Sequence, residues 1–257
     1  AAEVLIADIV SKLLAASDQT TEKYTVTILD TADVNAFALP GGYIYVTRGI
    51  LALANDSSEV AAVLAHEMAH VILHHARART QRLKTTELVD QVVTNVFGKN
   101  AATDQIAQNS KRSFAAFSQA QELAADQEGI RIAGKAGFDP FAAARFLGAM
   151  GRFSKFSAGD ASQADDFLSS HPSTPDRIQT ATETARSIFG APGIGEQDRK
   201  GYMAGIEGLD FGPSASQGAI VGQRFIHPGL RVTFRVPPGY KLQIAQGAVV
   251  AVAGDGE

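Results

Sequence analysis

Apolar and polar positions recur with two different periods along this chain, and the changes of period divide it. Leu5, Ile6, Ile9 and Leu13 return at helical spacing, which predicts an amphipathic helix over residues 1–17. Residues 23–30 alternate and are rich in β-branched side chains, so a strand is expected there. A turn follows, then Pro40, Gly41 and Gly42, and a second short strand from Tyr43 to Thr47.

The period then becomes helical. Asp56 offers a side-chain acceptor at a helix start and Glu59 places an acid three residues on. The helix they open is expected to run through Val63, His66, His70 and Leu73 to about residue 80. More helix is expected over 84–97, with a break at Gly98, Lys99 and Asn100. Further helices are predicted over 112–134, from Asp139-Pro140 to about Phe153, and from Pro175 to about Phe189.

Beyond Phe189 six glycines crowd between Gly190 and Gly208, the mark of a linker or irregular segment. Alternation with period two returns over 219–253, in Arg-Val-Thr-Phe-Arg-Val and in Ala-Val-Val-Ala-Val-Ala. The expected fold class is α+β, mainly α. Residues 1–195 form a helical catalytic domain with a small sheet, and residues 215–257 a small β-rich region expected to be incomplete.

Composition narrows the function classes. Apolar residues make up 45% of the 257 positions, enough for a sizeable core. The net charge of −4 gives no basic excess, so nucleic acid is not an expected partner. No apolar run reaches the roughly 18 residues of a membrane span. The absence of cysteine excludes disulfides and thiolate metal ligands.

The chemistry concentrates at His66-Glu67-Met68-Ala69-His70. Positions i and i+4 of a helix differ by about 40° in azimuth and roughly 6 Å in height. Two imidazoles so placed can converge on one metal ion at about 2.0–2.1 Å. Glu67 lies at the edge of the same face, where it can hold a water beside the metal and take its proton. The apolar residues Val60, Val63, Leu64, Val71 and Ile72 imply that this helix is largely buried, and buried His and Glu need partners.

A catalytic zinc takes three protein ligands and keeps a fourth position open. A His66–His70–His74 set would stretch over about 12 Å of helix, too far for one ion, so His74 and His75 are expected at the wet end of the helix. Glu122 and Asp126 share a face at i and i+4; one can bind metal while the other fixes a ligand imidazole. His171 precedes Pro172, which favours an extended conformation on a loop. It could be a surface residue, a donor to an oxyanion, or an occupant of the open metal position. Arg177 could pair with Asp126 or Asp176, or touch substrate. His227 is given no catalytic role.

Taken together these segments resemble the HtpX and CAAX prenyl protease type 1 family of metallopeptidases. Its motifs correspond here to Asn35–Gly42, Tyr43–Gly49, His66–His70, Glu122–Asp126, Ala136–Pro140 and Ser170–Arg177, in order, across roughly residues 30–180. The resemblance implies a zincin-like catalytic domain and a gluzincin-type site. Glu122 would be the third zinc ligand, Asp126 would stand behind the site, and His171 and Arg177 would lie near the reaction centre. It is similar to the soluble bacterial members, which implies a periplasmic or envelope location, soluble or peripherally attached, and unfolded or extended polypeptides as substrates. Strand 43–47, with Tyr43, Ile44 and Tyr45, is expected to offer the substrate an edge for backbone pairing. The rival is a non-catalytic chaperone-like or scaffold protein with a structural zinc. Nothing in the sequence fixes the oligomeric state.

Overall fold

The computed structural model of the chain describes residues 1–18, 23–39, 41–78, 118–157, 171, 174–212, 218–245 and 248–253. The helix expected over 84–97, the break after it and the start of the 112–134 helix lie outside them.

The first helix, α1 (Ala2–Ala16), buries Ile6, Ile9, Val10 and Leu13 on one stripe. A three-stranded sheet follows: β1 (Thr25–Leu29), β2 (Ala36–Leu39) and β3 (Tyr43–Thr47). Its spatial order is β1-β3-β2, with β3 parallel to β1 and antiparallel to β2. Strand β2 falls where only a turn was expected. Four residues give little periodicity to read, and the strand forms because Phe37 and Leu39 stand opposite Tyr45 and Tyr43. Thr47 ends the sheet and caps the short helix α2 (Arg48–Leu53) by accepting a hydrogen bond from the Ile50 amide.

Helix α3 (Ser57–Ile72) starts as the sequence predicts, with the Asp56 side chain accepting from the Glu59 amide at 2.9 Å. The Glu59 carboxylate reaches one residue further back than a capping box requires, to the amide of Asn55 at 2.8 Å. Residues 57–70 of this helix are all buried. It is the central rod of the molecule, packed by β2, α1 and three later helices. Two of these are α4 (Gln119–Lys135), opened by a Ser118–Gln121 capping box, and α5 (Ala142–Ser157); the next helix, α6 (Pro175–Phe189), with Pro175 in its first turn and Thr174 as its cap, packs on α4 and α5.

The glycine-rich stretch after α6 is not a free linker over its whole length. It contains α7 (Arg199–Gly205), whose Tyr202 is fully buried and donates its hydroxyl to the Leu51 carbonyl. The Ser57 amide donates to the Gln197 carbonyl, and the buried Arg48 guanidinium donates to the carbonyls of Asp210 and Gly212. Burial of one large aromatic at a suitable register outweighs the poor helix propensity of the glycines around it.

The β-rich region comprises an antiparallel meander of β4 (Ala219–Val221), β5 (Arg224–His227) and β6 (Val232–Arg235), and a hairpin of β7 (Tyr240–Ala245) and β8 (Ala248–Ala253). It has a small core of its own, Phe225, Val236 and Leu242, separate from the main cluster. No helix among the described residues is long and apolar enough to cross a membrane.

Candidate metal centre

Three segments meet at the middle of α3. The helix itself carries His66, Glu67 and His70. Helix α4 crosses it and brings Glu122 and Asp126. The residues leading into α6 supply His171, and the first turn of α6 supplies Arg177. The close approach of α4 depends on Gly129, where a β-carbon would come within 3.0 Å of the His66 amide nitrogen. All six side chains around Glu67 are buried.

Four donor atoms converge. The Nε2 atom of His66 lies 3.0 Å from His70 Nε2, 3.3 Å from His171 Nδ1 and 3.5 Å from Glu122 Oε2. Glu122 Oε1 is 3.4 Å from His70 Nε2 and 3.0 Å from His171 Nδ1. For bonds of about 2.0–2.1 Å, the edges of a ligand tetrahedron measure about 3.3–3.4 Å. The spacing therefore fits one zinc-sized ion, and the set of two imidazoles, one carboxylate and a third imidazole suits zinc chemically.

Behind the donors stands a second layer. Asp126 Oδ1 lies 2.9 Å from His66 Nδ1, which fixes that ring with Nε2 toward the centre. Arg177 holds Asp126 with a two-pronged contact, Nε and Nη2 each at 2.8 Å, and reaches Glu122 Oε2 with Nη1 at 2.8 Å. Burial disfavours a charged Asp126, but contacts with His66 and Arg177 outweigh it and hold its carboxyl below the usual range. Glu122 likewise stays ionised, because its three histidine neighbours overcome the cost of burial. Burial opposes the charged form of His66, yet its two carboxylate neighbours push its pKa up to about 10. His70, without a comparable pair, is pushed down to about 3 by burial.

Glu67 differs from the other acids. Burial pushes its carboxyl up from the ordinary glutamate value. It accepts a hydrogen bond from the Ala38 backbone amide of β2, and its Oε1 has no hydrogen-bond partner among the described residues. The His171 Nε2 atom lies 3.7 Å from that oxygen.

The structure thus brings together His66, Glu67, His70, Glu122, Asp126, His171 and Arg177. It does not bring in Tyr43, Ile44 and Tyr45 as a substrate edge. Strand β3 is the middle strand, its backbone engaged by β1 on one side and β2 on the other, and Ile44 is fully buried. Its partners come from other parts of the chain, so its central position could not be read from the strand itself. The exposed edge next to the site belongs to β2. Asp176 is exposed, and Arg177 pairs with Asp126 and Glu122 instead. His74 is exposed, as expected, but His75 is not part of a wet helix end. It is buried, with Nδ1 2.9 Å from His70 Nδ1. The i, i+5 spacing of that pair does not share a helix face, which hid it from a periodic reading. His227 lies in β5, accepting from the Leu230 amide at 3.1 Å.

The model of "Peptidase family M48" matches residues 2–185. Mitochondrial metalloendopeptidase OMA1 of Schizosaccharomyces pombe is 30% identical over 183 residues, 69% of this chain and 51% of that protein. The beta-barrel assembly-enhancing protease of Yersinia pestis is 26% identical over 212 residues, 78% of this chain and 43% of that protein. The protein of the same name from Escherichia coli K12 is 26% identical over 187 residues, 69% of this chain and 37% of that protein. The chain spans about half the length, or less, of these relatives.

Proposed function

The chain belongs to peptidase family M48, and on that premise we propose that it is a zinc-dependent endopeptidase of bacterial envelope protein quality control. One observation carries the catalytic reading. The Glu67 Oε1 atom is buried beside four candidate metal-ligand atoms and has no hydrogen-bond partner among the described residues. A purely structural zinc has no use for such a carboxylate, and an unpaired buried oxygen costs about 1–3 kcal/mol.

His66, His70 and Glu122 would hold the zinc, with Asp126 and Arg177 fixing the first and last of these. When bound, zinc supplies Lewis acidity and acidifies water at neutral pH. Glu67 then takes a proton from the attacking water at Oε1 and delivers it to the leaving amine. The raised affinity of Glu67 for a proton suits a group that must accept and return one.

An extended polypeptide would add to the outer edge of β2. Ala38 points its amide away from β3, toward Glu67, and Ala36 shares that orientation two residues earlier. Backbone pairing there reads main chain and sets little side-chain specificity, which suits unfolded substrates. The envelope setting draws on the relatives named as beta-barrel assembly-enhancing proteases. The narrower kinship with HtpX and CAAX type 1 proteases rests on the motif order across residues 30–180. We assign catalysis to residues 1–195, consistent with the matched family span, and no catalytic part to 215–257.

The position of His171 Nδ1 among the donors favours a further element of this reading. It occupies the place that water and substrate would need, so the conformation described is a latent one, and His171 must withdraw for turnover. The same closed set of four donors is what favours the rival, a structural zinc in a chaperone-like or scaffold protein. Digestion of casein by the wild type and by Glu67→Gln, with and without chelator, separates them. Chelator-sensitive digestion lost in the variant supports the peptidase. No digestion by zinc-loaded wild type or by His171→Ala would favour the scaffold.

A further inference from the structure

We propose that His75 is a positioning residue of the metal centre, holding His70 through a neutral imidazole where His66 is held by a carboxylate. The proposal rests on the zinc reading above. His70 turns Nε2 toward the donor set, 3.0 Å from His66 Nε2 and 3.4 Å from Glu122 Oε1. A metal at Nε2 leaves Nδ1 as the only place for the ring proton. That Nδ1 lies 2.9 Å from Nδ1 of the buried His75, the rings meeting edge to face with centroids 5.0 Å apart. His75 must then accept at Nδ1 and carry its own proton on Nε2.

The backbone is shaped to make this contact. In an unbroken helix, residues 70 and 75 would point about 140° apart. Helix α3 instead ends at Ile72, and His74 adopts a left-handed φ of 54°. That turn swings His75 back beneath His70. On the other side, Gln121 Nε2 comes within 3.5 Å of the His75 carbonyl. Gln121 belongs to the capping box of α4 and precedes Glu122, so the turn is tied to the helix that supplies the third ligand.

The choice of imidazole has an electrostatic reason. Glu67, Glu122 and Asp126 already surround the centre, with the guanidinium of Arg177 as their buried counter-charge. A further carboxylate behind His70 would add like charge to a low-dielectric site. A neutral acceptor fixes the His70 tautomer without doing so.

The test uses the full chain and two substitutions. Zinc affinity is measured by competition with a chromogenic chelator, and the melting temperature is measured without metal. His75→Phe fills the space but cannot accept; zinc affinity should fall about 10–100-fold, as loss of an outer partner does, with the metal-free melting temperature little changed. His75→Asn places an amide oxygen where Nδ1 was and should restore most of the affinity. Wild-type affinity in His75→Phe would overturn the proposal, as would failure of His75→Asn to recover affinity or a metal-free melting loss that accounts for the weakened binding. Wild-type protein that takes up no zinc would overturn the metal reading itself and the proposal with it.

Discussion

Gly129 of α4 lies against the backbone of His66, so close that a β-carbon there would sit 3.0 Å from the His66 nitrogen and 3.1 Å from its Cα. The contact joins the two helices that carry His66, His70 and Glu122. Replacing glycine by alanine inside a helix is ordinarily worth about 0.5–1 kcal/mol of stability. Here the methyl group meets backbone, which cannot rotate away, so α4 must move out by a few tenths of an ångström. Gly129→Ala should therefore lower zinc affinity, read by chelator competition, and should not raise the melting temperature. A gain in stability with unchanged zinc affinity would show that the helices are free to slide.

Glu67→Gln removes the proton acceptor while keeping size and shape. Proteolysis of casein should fall by several orders of magnitude. Zinc content should stay the same. The melting temperature should hold or rise, because a buried carboxylate with an unpartnered oxygen is replaced by a neutral amide. A variant that digests casein at a near wild-type rate would remove Glu67 from the mechanism.

Arg177 supplies positive charge to both Glu122 and Asp126 from a fully buried position. Arg177→Met strands these carboxylates, and breaking a buried pair costs about 3–5 kcal/mol. Bound zinc supplies positive charge to the same centre. The loss of melting temperature should thus be larger without metal than with it. Equal losses in the two states would place Arg177 outside the electrostatics of the site.

Glu122→Ala should weaken zinc binding more than Asp126→Ala, whose effect should be about 10–100-fold. Chelator should lower the melting temperature of the wild type, since a ligand bound to the folded state stabilises it by mass action. Glu122→Ala should lose most of that chelator response. Wild-type zinc affinity in Glu122→Ala would move the third ligand elsewhere.

How much of this was legible in the sequence follows the range of the interactions involved. The start of α3, its ligand face and the register of α6 were readable because Asp56, the i, i+4 histidines and Pro175 act within a few residues of themselves. Glu122, Asp126, His171 and Arg177 could be nominated from residue type and from kinship, but no local rule says that they meet. The misses are non-local or aperiodic. The central place of β3 is decided by partners on either side of it. Helix α7 exists because Tyr202 finds the carbonyl of Leu51 in the main core. His75 reaches His70 only through the left-handed turn at His74, a conformation that a histidine tolerates but does not announce.

His171 decides between latency, transition-state support and a structural site, and a single substitution tests all three. Its Nδ1 lies 3.0 Å from Glu122 Oε1 and 3.3 Å from His66 Nε2, within the ligand set, while its Nε2 faces Glu67 at 3.7 Å. A ring in that position excludes both water and a substrate carbonyl. Removing it should open the fourth position, so His171→Ala is expected to raise casein turnover, with only a modest loss of zinc affinity because three ligands remain. If His171 instead donates to the oxyanion after moving aside, the same change should lower turnover about 10²–10³-fold with zinc affinity unchanged. If the zinc is structural, the change should release metal and lower the melting temperature together, because the binding energy is then folding energy. Turnover, zinc affinity and melting temperature measured on this one variant give a different pattern in each case. A variant unchanged in all three would remove His171 from the function of the site.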